Sequence, residues 1–500
     1  MKTQFVAIVL CLWACAMIQA QIPSLEWGEP AKRNQYQNHT MIGSDGQNHW
    51  VLDYTPKQDL QLGIQEMSLK KYDKGFRLIK EKELATQIES SELSVNRALV
   101  RGKEIWLFLG GLDKGKGVKS LWLERFSIES LERIQKPYKI ESLKFENPRS
   151  APFFEVITSP DLSLLMIRSF ISKITDVQNL EYVFIQNKLT VLDAELRFVW
   201  EKSLDYEDIF GLRINNDGLV VGSAVKKIKS KSRPGILILA EEGTSASFHE
   251  VEVEEKIWAR NFQISFMNDE EAFAYLLTKD KSLYAQKINY NEESFVWRSQ
   301  FSLEIEIEDE FEDFRFTKEL GKVTDRVAMK TKAPLFASDG SIYLVGDTYT
   351  IGNEFGGEIQ AYSGDILALR ISPEGELDWE KTIEKAQQLS GIYFSTKAAN
   401  LSFNAFISPD QNLSFIYNDC AKNHRSATKY ELGWLYNGTK ADAVTMCQLS
   451  PSGKVQHQML YNFRNHPFDW VPESLYELED GQYVMYAFSR KQISMGRLSW

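Results

Sequence analysis

Cysteine is scarce: four in 500 residues, and two of them, Cys11 and Cys15, sit in an N-terminal apolar segment. A disulfide scaffold is excluded, so packing has to hold the fold. The other two, Cys420 and Cys447, are a candidate disulfide in an exported chain, with a pair of half-buried strand thiols as the alternative. The six histidines form no His-x-x-x-His pair and the cysteines no Cys-x-x-Cys pair, which removes the usual zinc patterns. No Gly-x-Ser-x-Gly elbow, phosphate-binding loop or EF-hand is present. Positive charge is in deficit, with a net charge of −11, so no general electrostatic attraction to nucleic acid or anionic membrane is expected. Past the N-terminus no apolar run approaches the roughly 20 residues of a membrane span. Long stretches of helical periodicity are missing too.

Aromatic residues, by contrast, are plentiful, at 12% of the chain, and favour pleated, half-buried strands. The first residues read Lys2, an apolar run from Phe5 to Ile18, then Gln19-Ala20, the layout of a secretory signal. Cleavage after Ala20 would leave residues 21–500 as one domain, secreted or held in a periplasm or cell envelope. Leu12-Trp13-Ala14-Cys15 offers a lipobox-like alternative, with Cys15 as the lipidated residue.

A polar turn followed by a β-rich run recurs along the chain. Ser44-Asp45-Gly46 precedes His49–Leu52, Asn216-Asp217-Gly218 precedes Leu219–Val221, and Ser338-Asp339-Gly340 precedes Ile342–Val345. Counting degenerate copies, the turns fall at positions 45, 103, 161, 217, 269, 339, 410 and 480. Asp and Gly there supply the backbone angles of tight hairpins. A second hairpin follows each first one, most clearly from Asp365 through Ser372-Pro373-Glu374-Gly375 to Trp379 and Ile383. Weaker copies run over Gln65–Leu84, Leu121–Ile134, Leu189–Leu204, Gly235–Val253, Leu283–Leu303 and Asp442–Leu460. Each period therefore holds four strands, A-turn-B, loop, C-turn-D, which is the content of one propeller blade. The expected fold is all-β: a single β-propeller of eight four-stranded blades, with seven as the alternative. The eighth unit runs out after strand C, and Ser24–Glu29, which looks like Leu377–Glu380, is expected to supply its strand D and close the ring.

The stretch Asp365–Ile383 resembles the secreted bacterial β-propeller repeat families, where Asp opens strand C, Gly ends the C–D turn and Trp begins strand D. It is more loosely similar to the repeat of pyrroloquinoline-quinone-type propellers, whose Trp docks adjacent blades. Trp27, Trp200, Trp297 and Trp379 hold the Trp position, and Gly75, Gly243, Gly375 and Gly453 the turn position. The resemblance implies a fold rather than a site, and no quinone or calcium ligand motif accompanies it; no cofactor or metal is expected.

Strand alternation puts the A–B and C–D turns on one face and the B–C and D–A connections on the other. The long insertions, Val225–Pro234, Glu304–Lys332, Asp347–Gly364, Glu384–Ala399 and Asn418–Ala441, all belong to the second face. Long segments on a rigid scaffold are where binding concentrates. The candidate ligand-binding residues are Tyr349, Phe355 and Tyr362 in one insertion, and His424, Arg425, Tyr430, Trp434 and Tyr436 in another, since flat rings suit a protein or glycan partner. The competing explanation is that they pin their own loops. A basic run (Lys226, Lys227, Lys229, Lys231, Arg233) and an acidic one (Glu304 to Asp313) read as solvated segments. The leading expectation is a non-catalytic binding protein; the alternative is a polysaccharide-acting enzyme with paired carboxylates at the channel mouth, Asp313 or Glu155 among them. Oligomeric state is not legible.

Overall fold

A computed structural model describes residues 23–32, 37–57, 63–145, 152–176, 181–206, 208–228, 231–239, 243, 245–251, 262–278, 282–290, 292, 294–304, 328–353, 359–385, 387–390, 403–420, 442–462, 469–471, 474–478, 481–489 and 492–500. No α-helix occurs among them. Their strands form eight antiparallel sheets, taken here as blades 1–8 with strands A–D in order.

Blade 1 comprises Asn38–Ser44, Asn48–Pro56, Ile64–Asp73 and Leu78–Glu83. Blade 2 has Ser91–Arg101, Glu104–Asp113, Val118–Ser127 and Tyr138–Lys144, plus a short Gln87–Ile88. Blade 3 has Phe153–Thr158, Leu164–Asp176, Glu181–Asp193 and Phe198–Ser203; blade 4 has Asp208–Ile214, Val220–Ile228, Lys231–Leu239 and Ala246–Glu250. Blade 5 has Phe262–Phe266, Glu271–Leu277, Ser282–Asn289 and Ser294–Ser302. Blade 6 has a split strand A (Ala328–Thr331 and Leu335–Phe336), then Ile342–Asn353, Ile359–Ile371 and Leu377–Ile383. Blade 7 has Phe403–Ile407, Leu413–Cys420, Asp442–Leu449 and Val455–Asn462. Blade 8 has Asp469–Trp470 with Tyr476–Glu477, then Tyr483–Phe488, Gln492–Ser499 and, from the other end of the chain, Ser24–Trp27.

The expected closure is thus present. Ser24, Leu25, Glu26 and Trp27 pair antiparallel with Ser499, Leu498, Arg497 and Gly496. In all eight blades strands A and B flank the expected turn position, so the count is eight rather than seven. One strand lies elsewhere than expected. In blade 2 the stretch after Leu121 stays in strand C to Ser127 and then turns through Leu131 (φ 53°), and strand D is Tyr138–Lys144.

Strand B carries a buried apolar run, such as Trp50–Leu52, Ile105–Leu109 and Ala272–Leu276, because both of its faces are covered. Trp50 and Leu52 point toward blade 2 while Val51, between them, points toward blade 8. Phe273 and Tyr275 pack on blade 6, whereas Ala272, Ala274 and Leu276 pack on blade 4. Eight hydrophobic clusters each straddle one pair of neighbouring blades, the eighth joining Val484 and Met495 of blade 8 to Val51 and Tyr72 of blade 1. The aromatic surplus is spent here.

A polar latch repeats around the ring. At six junctions a side chain of one blade donates to a carbonyl in the C–D turn of the next: Trp50 Nε1 to Ile128 O (3.0 Å), Arg101 to Ala194 O (2.6 Å) and Lys202 to Gly243 O (2.5 Å). The others are Trp297 to Pro373 O (3.0 Å), Trp379 to Pro451 O (3.0 Å) and Arg497 to Lys74 O (3.0 Å). Trp200, Trp297 and Trp379 also lie against the turn glycines Gly243, Gly375 and Gly453 of the following blade. Two members expected in this set behave differently. Trp27 meets Tyr461 of the preceding blade edge-on, with ring centroids 5.5 Å apart. In blade 1 the left-handed turn position belongs to Phe76 (φ 61°), not Gly75.

Gly375 needs its glycine twice over: φ is 90°, and a Cβ would lie 2.6 Å from the Trp297 ring. Gly46 shares the angle (φ 78°) but has nothing within 4 Å. Gly46→Ala is expected to cost about 1 kcal/mol from backbone strain alone, and Gly375→Ala about 2–3 kcal/mol, because the ring must also move. Urea midpoints of the two variants check the difference; equal losses would refute the seam contact.

The blade 8–blade 1 junction carries a titratable group. His49 is fully buried, stacks on Phe76 at 5.0 Å and holds Ser44 Oγ at 3.0 Å from Nδ1. Burial, helped by the nearby Arg497 guanidinium, pushes its pKa down to about 4. An unfolded histidine titrates near 6.5, so between those values the unfolded chain binds the proton more readily. Stability from this group is complete above pH 6.5 and falls as pH drops toward 4, by at most about 3 kcal/mol. Urea unfolding across that window should show the loss in the native chain and a flatter profile in His49→Gln; parallel profiles would show that His49 is not its source.

Candidate functional site

Three of the five long insertions build one structure rather than three loops. Beyond the level of Gly346, the B and C strands of blade 6 run on as a hairpin, with Tyr349 paired to Ser363 and Asn353 to Ile359. Ala328–Thr331 pairs with Gly346–Tyr349 on one side of it. Gln387–Ser390 pairs with Gln360–Ser363 on the other. The result is a second four-stranded tier standing on blade 6. The B–C hairpin of blade 3 also projects: strand A pairs only with Leu165–Phe170, and strand D only with Lys188–Leu192, while the hairpin continues to Asp176 and Glu181. In blade 4 the Val225–Pro234 insertion is likewise a regular hairpin, reaching Ile228 and Lys231.

A buried polar cluster fixes the tier to the blade. Lys385 Nζ lies 2.8 Å from Asp347 Oδ2 and 2.6 Å from Ser363 Oγ, and Lys385 N donates to Asp365 Oδ1 at 2.7 Å. Both members of the ion pair are completely buried. Gln387 Nε2 donates to Asn418 O (2.6 Å), and Asn418 Nδ2 to Trp470 O (2.8 Å), which carries the network across blades 7 and 8. Blade 1 has a counterpart in which Asp53 receives His39 (2.5 Å), Lys70 (2.7 Å) and Gln37 (3.0 Å).

Tyr349 and Tyr362 lie on neighbouring strands of the tier, Tyr362 opposite Thr350; their side chains lie outside the described set. Phe355, His424, Arg425, Tyr430, Trp434 and Tyr436 also fall outside the described residues, as does Asp313. Glu155 has its Oε2 3.5 Å from Arg168 Nη1. Arg233 meets Glu250 at 3.3 Å, so the basic hairpin is partly neutralised. The candidate disulfide is corrected. Cys447 is a free, buried thiol whose pKa burial raises, and it sits opposite Phe415. Cys420 sits opposite Asp442, five residues farther along the same strand. That is about 17 Å of strand against the roughly 7 Å that a disulfide bridges.

A-strands of successive blades lie against each other, as strands converging on a central axis do. At their C-terminal ends, on the short-turn face, a cavity of about 550 Å³ opens between blades 2 and 6. Two arginines line it, Arg97 and Arg213. Arg97 donates from Nη1 to Val156 O (2.9 Å) and from Nη2 to Thr158 Oγ1 (3.0 Å), both in blade 3. Arg213 donates from Nη1 to Leu212 O (3.0 Å). Each follows a β-bulge, at Val95/Arg97 and at Phe210/Arg213, and a bulge re-aims the side chains after it. The second bulge contains Gly211 at φ 65°. Burial lowers the Arg97 pKa and the charge of Arg213 lowers it further, so the two guanidiniums sense one another. Phe266, Phe336, Leu162 and Ile214 contribute apolar wall. Sequence reading passed over both arginines, because they stand 116 residues apart in no motif. Among the described residues no group of three or more His, Cys, Asp or Glu is placed to hold a metal ion.

No family model and no curated protein matches the chain. Among solved structures it is similar to the Dos1 propeller, at 7% identity, with 95% of each chain covered and a TM-score of 0.47. It is also similar to the β-propeller domain of the Trilobed protease from Pyrococcus furiosus, described as having an open velcro topology. The identity is 10%, the coverage 87% of this chain and 98% of that one, and the TM-score 0.35. A protein of unknown function from Dyadobacter fermentans covers 96% of this chain and 100% of its own at 8% identity, with a TM-score of 0.32. Likenesses at these identities and scores carry no functional argument; the propeller stands on its own sheet order.

Proposed function

We propose that this chain is an exported, non-catalytic binding scaffold, its leader (residues 1–20) removed, which meets a protein or glycan partner on the face that bears the long B–C and D–A segments. The second tier on blade 6 carries this reading. A propeller needs only short connections to close, and additional paired strands on one face are a rigid platform beyond what the ring requires. The buried Lys385–Asp347 pair holds that platform in place.

The test uses the full mature chain and a variant in which residues 351–361 are replaced by Asn-Gly, a two-residue hairpin turn. Both are applied to a glycan array and to affinity capture from native envelope extract. Binding by the native chain that the variant loses is expected. A partner held equally by both places the site elsewhere, and silence from the native chain in both assays ends the reading.

A further inference from the structure

The short-turn face is the opposite side of the disc from the proposed partner surface, and its channel mouth has a chemistry of its own. We propose that the cavity between blades 2 and 6 is a binding site for a small organic anion, an acidic group attached to an apolar body, with Arg97 and Arg213 as its anion-holding pair.

Three observations meet in this cavity. First, two guanidiniums line one space, and among the described residues no carboxylate lines it with them. Burial and then the like charge of Arg213 both disfavour the charge on Arg97, which an anion between the two would relieve. Ring closure does not require the pair. Arg97 braces blade 3 through Val156 O and Thr158 Oγ1, but Arg213 is exposed and, among the described residues, bonds only to the carbonyl of its own neighbour, Leu212. Second, the aim is built in. Both arginines sit just past bulges, and in blade 4 the bulge leaves Ile209, Leu212 and Ile214 buried while Arg213 stays in the open. Third, shape and lining suit one ligand class. About 550 Å³ is within the range of small-molecule sites, roughly 300–1,000 Å³. Arginine forks match the paired oxygens of a carboxylate or phosphate. Phe266, Phe336 and Leu162 offer the rest of the molecule a flat apolar wall, and the Thr158 and Ser265 hydroxyls offer neutral polar contacts. The acidic chain as a whole repels anions at long range, so a site for one has to be made locally, as it is here.

Isothermal titration calorimetry of the full chain with phenyl phosphate, inorganic phosphate and phenol tests the proposal. Phenyl phosphate should bind, inorganic phosphate about tenfold more weakly and phenol undetectably, with affinity falling as salt rises from about 50 to 500 mM. Arg213→Glu should weaken phenyl phosphate binding by at least about tenfold. It leaves the brace on blade 3 intact, and an unchanged near-ultraviolet circular dichroism spectrum checks the fold. Arg97→Gln should weaken binding similarly and also lower the melting temperature. No heat from phenyl phosphate up to about 5 mM, well above the affinity expected of a two-arginine site, overturns the proposal, as does equal affinity in Arg213→Glu. Partner binding on the opposite face should be untouched by Arg213→Glu, so the two readings fail separately.

Discussion

Lys385→Met is expected to destabilise the protein by about 3–5 kcal/mol, the cost of stranding a buried charge. Its ammonium is the cationic partner of Asp347, and both are sealed from solvent. Methionine matches the aliphatic stem, so little packing is lost and the effect reports on charge. The carboxylate left behind would keep the Ser363 hydroxyl at 2.6 Å, too little for a full charge in a low-dielectric site. Asp347→Leu should cost a similar amount for the converse reason. The double variant, Lys385→Met with Asp347→Leu, should cost much less than the sum, since replacing a whole buried pair with apolar groups is often nearly neutral. Urea unfolding of the four proteins completes the cycle. Single-variant losses below about 1 kcal/mol would mean that water reaches the pair and that the tier is not fixed as described.

The second large effect concerns the ring junction. Ser24 and Ser499 are cross-strand partners whose hydroxyls touch at 2.8 Å, across 475 residues of sequence. Ser24→Cys with Ser499→Cys should form a disulfide under mild oxidation. Closing so long a loop should raise stability by about 4–5 kcal/mol, the upper end of what cross-links deliver. The native thiol Cys447 is buried and should not interfere, and a Cys420→Ser background removes the second native thiol. Melting temperatures with and without reductant measure the gain, the reduced protein serving as its own control. If both thiols remain free to react with a maleimide, the strand pairing at residues 24 and 499 is wrong.

Much of this fold was legible because a blade writes itself locally. Tight turns demand residues that tolerate left-handed backbone, and Gly46, Gly218, Gly340, Gly375, Gly453 and Gly481 all take it. The closing strand was legible too, since Leu25 and Trp27 alternate with polar neighbours. What was misread is instructive in each case. Gly75 was the obvious turn residue on propensity, yet the chain places Phe76 in the left-handed position, where its ring packs under His49 and Arg497. Packing of a large ring outweighs about 1–2 kcal/mol of backbone strain. Trp27 shares the Leu-x-Trp pattern of Leu377-Asp378-Trp379, but a pattern of period two does not say which neighbouring blade a face will meet. In blade 2, Leu121–Ile134 reads as a hairpin because its apolar spacing continues through the turn; there Ile128 accepts from Trp50. The tier on blade 6 was read as loops since its strands pair with insertions distant in sequence. The arginine pair was illegible for the same reason, since only the ring brings residues 97 and 213 to one cavity.

Closing blade 8 with strands from both ends of the chain imposes an order on folding. Seven blades complete themselves within stretches of roughly 40–65 residues, but the segment Ser24–Lys32 has no sheet to join until Gln492–Ser499 exists. During synthesis it is an unpaired edge, the kind of strand that seeks partners on other chains. Contacts this remote in sequence form late, because the entropy of the whole intervening chain is lost before any pairing rewards it. Assembly should therefore end in one slow, ring-sealing step. In the finished protein the amide protons of residues 24–27 should exchange ahead of those in the central strands.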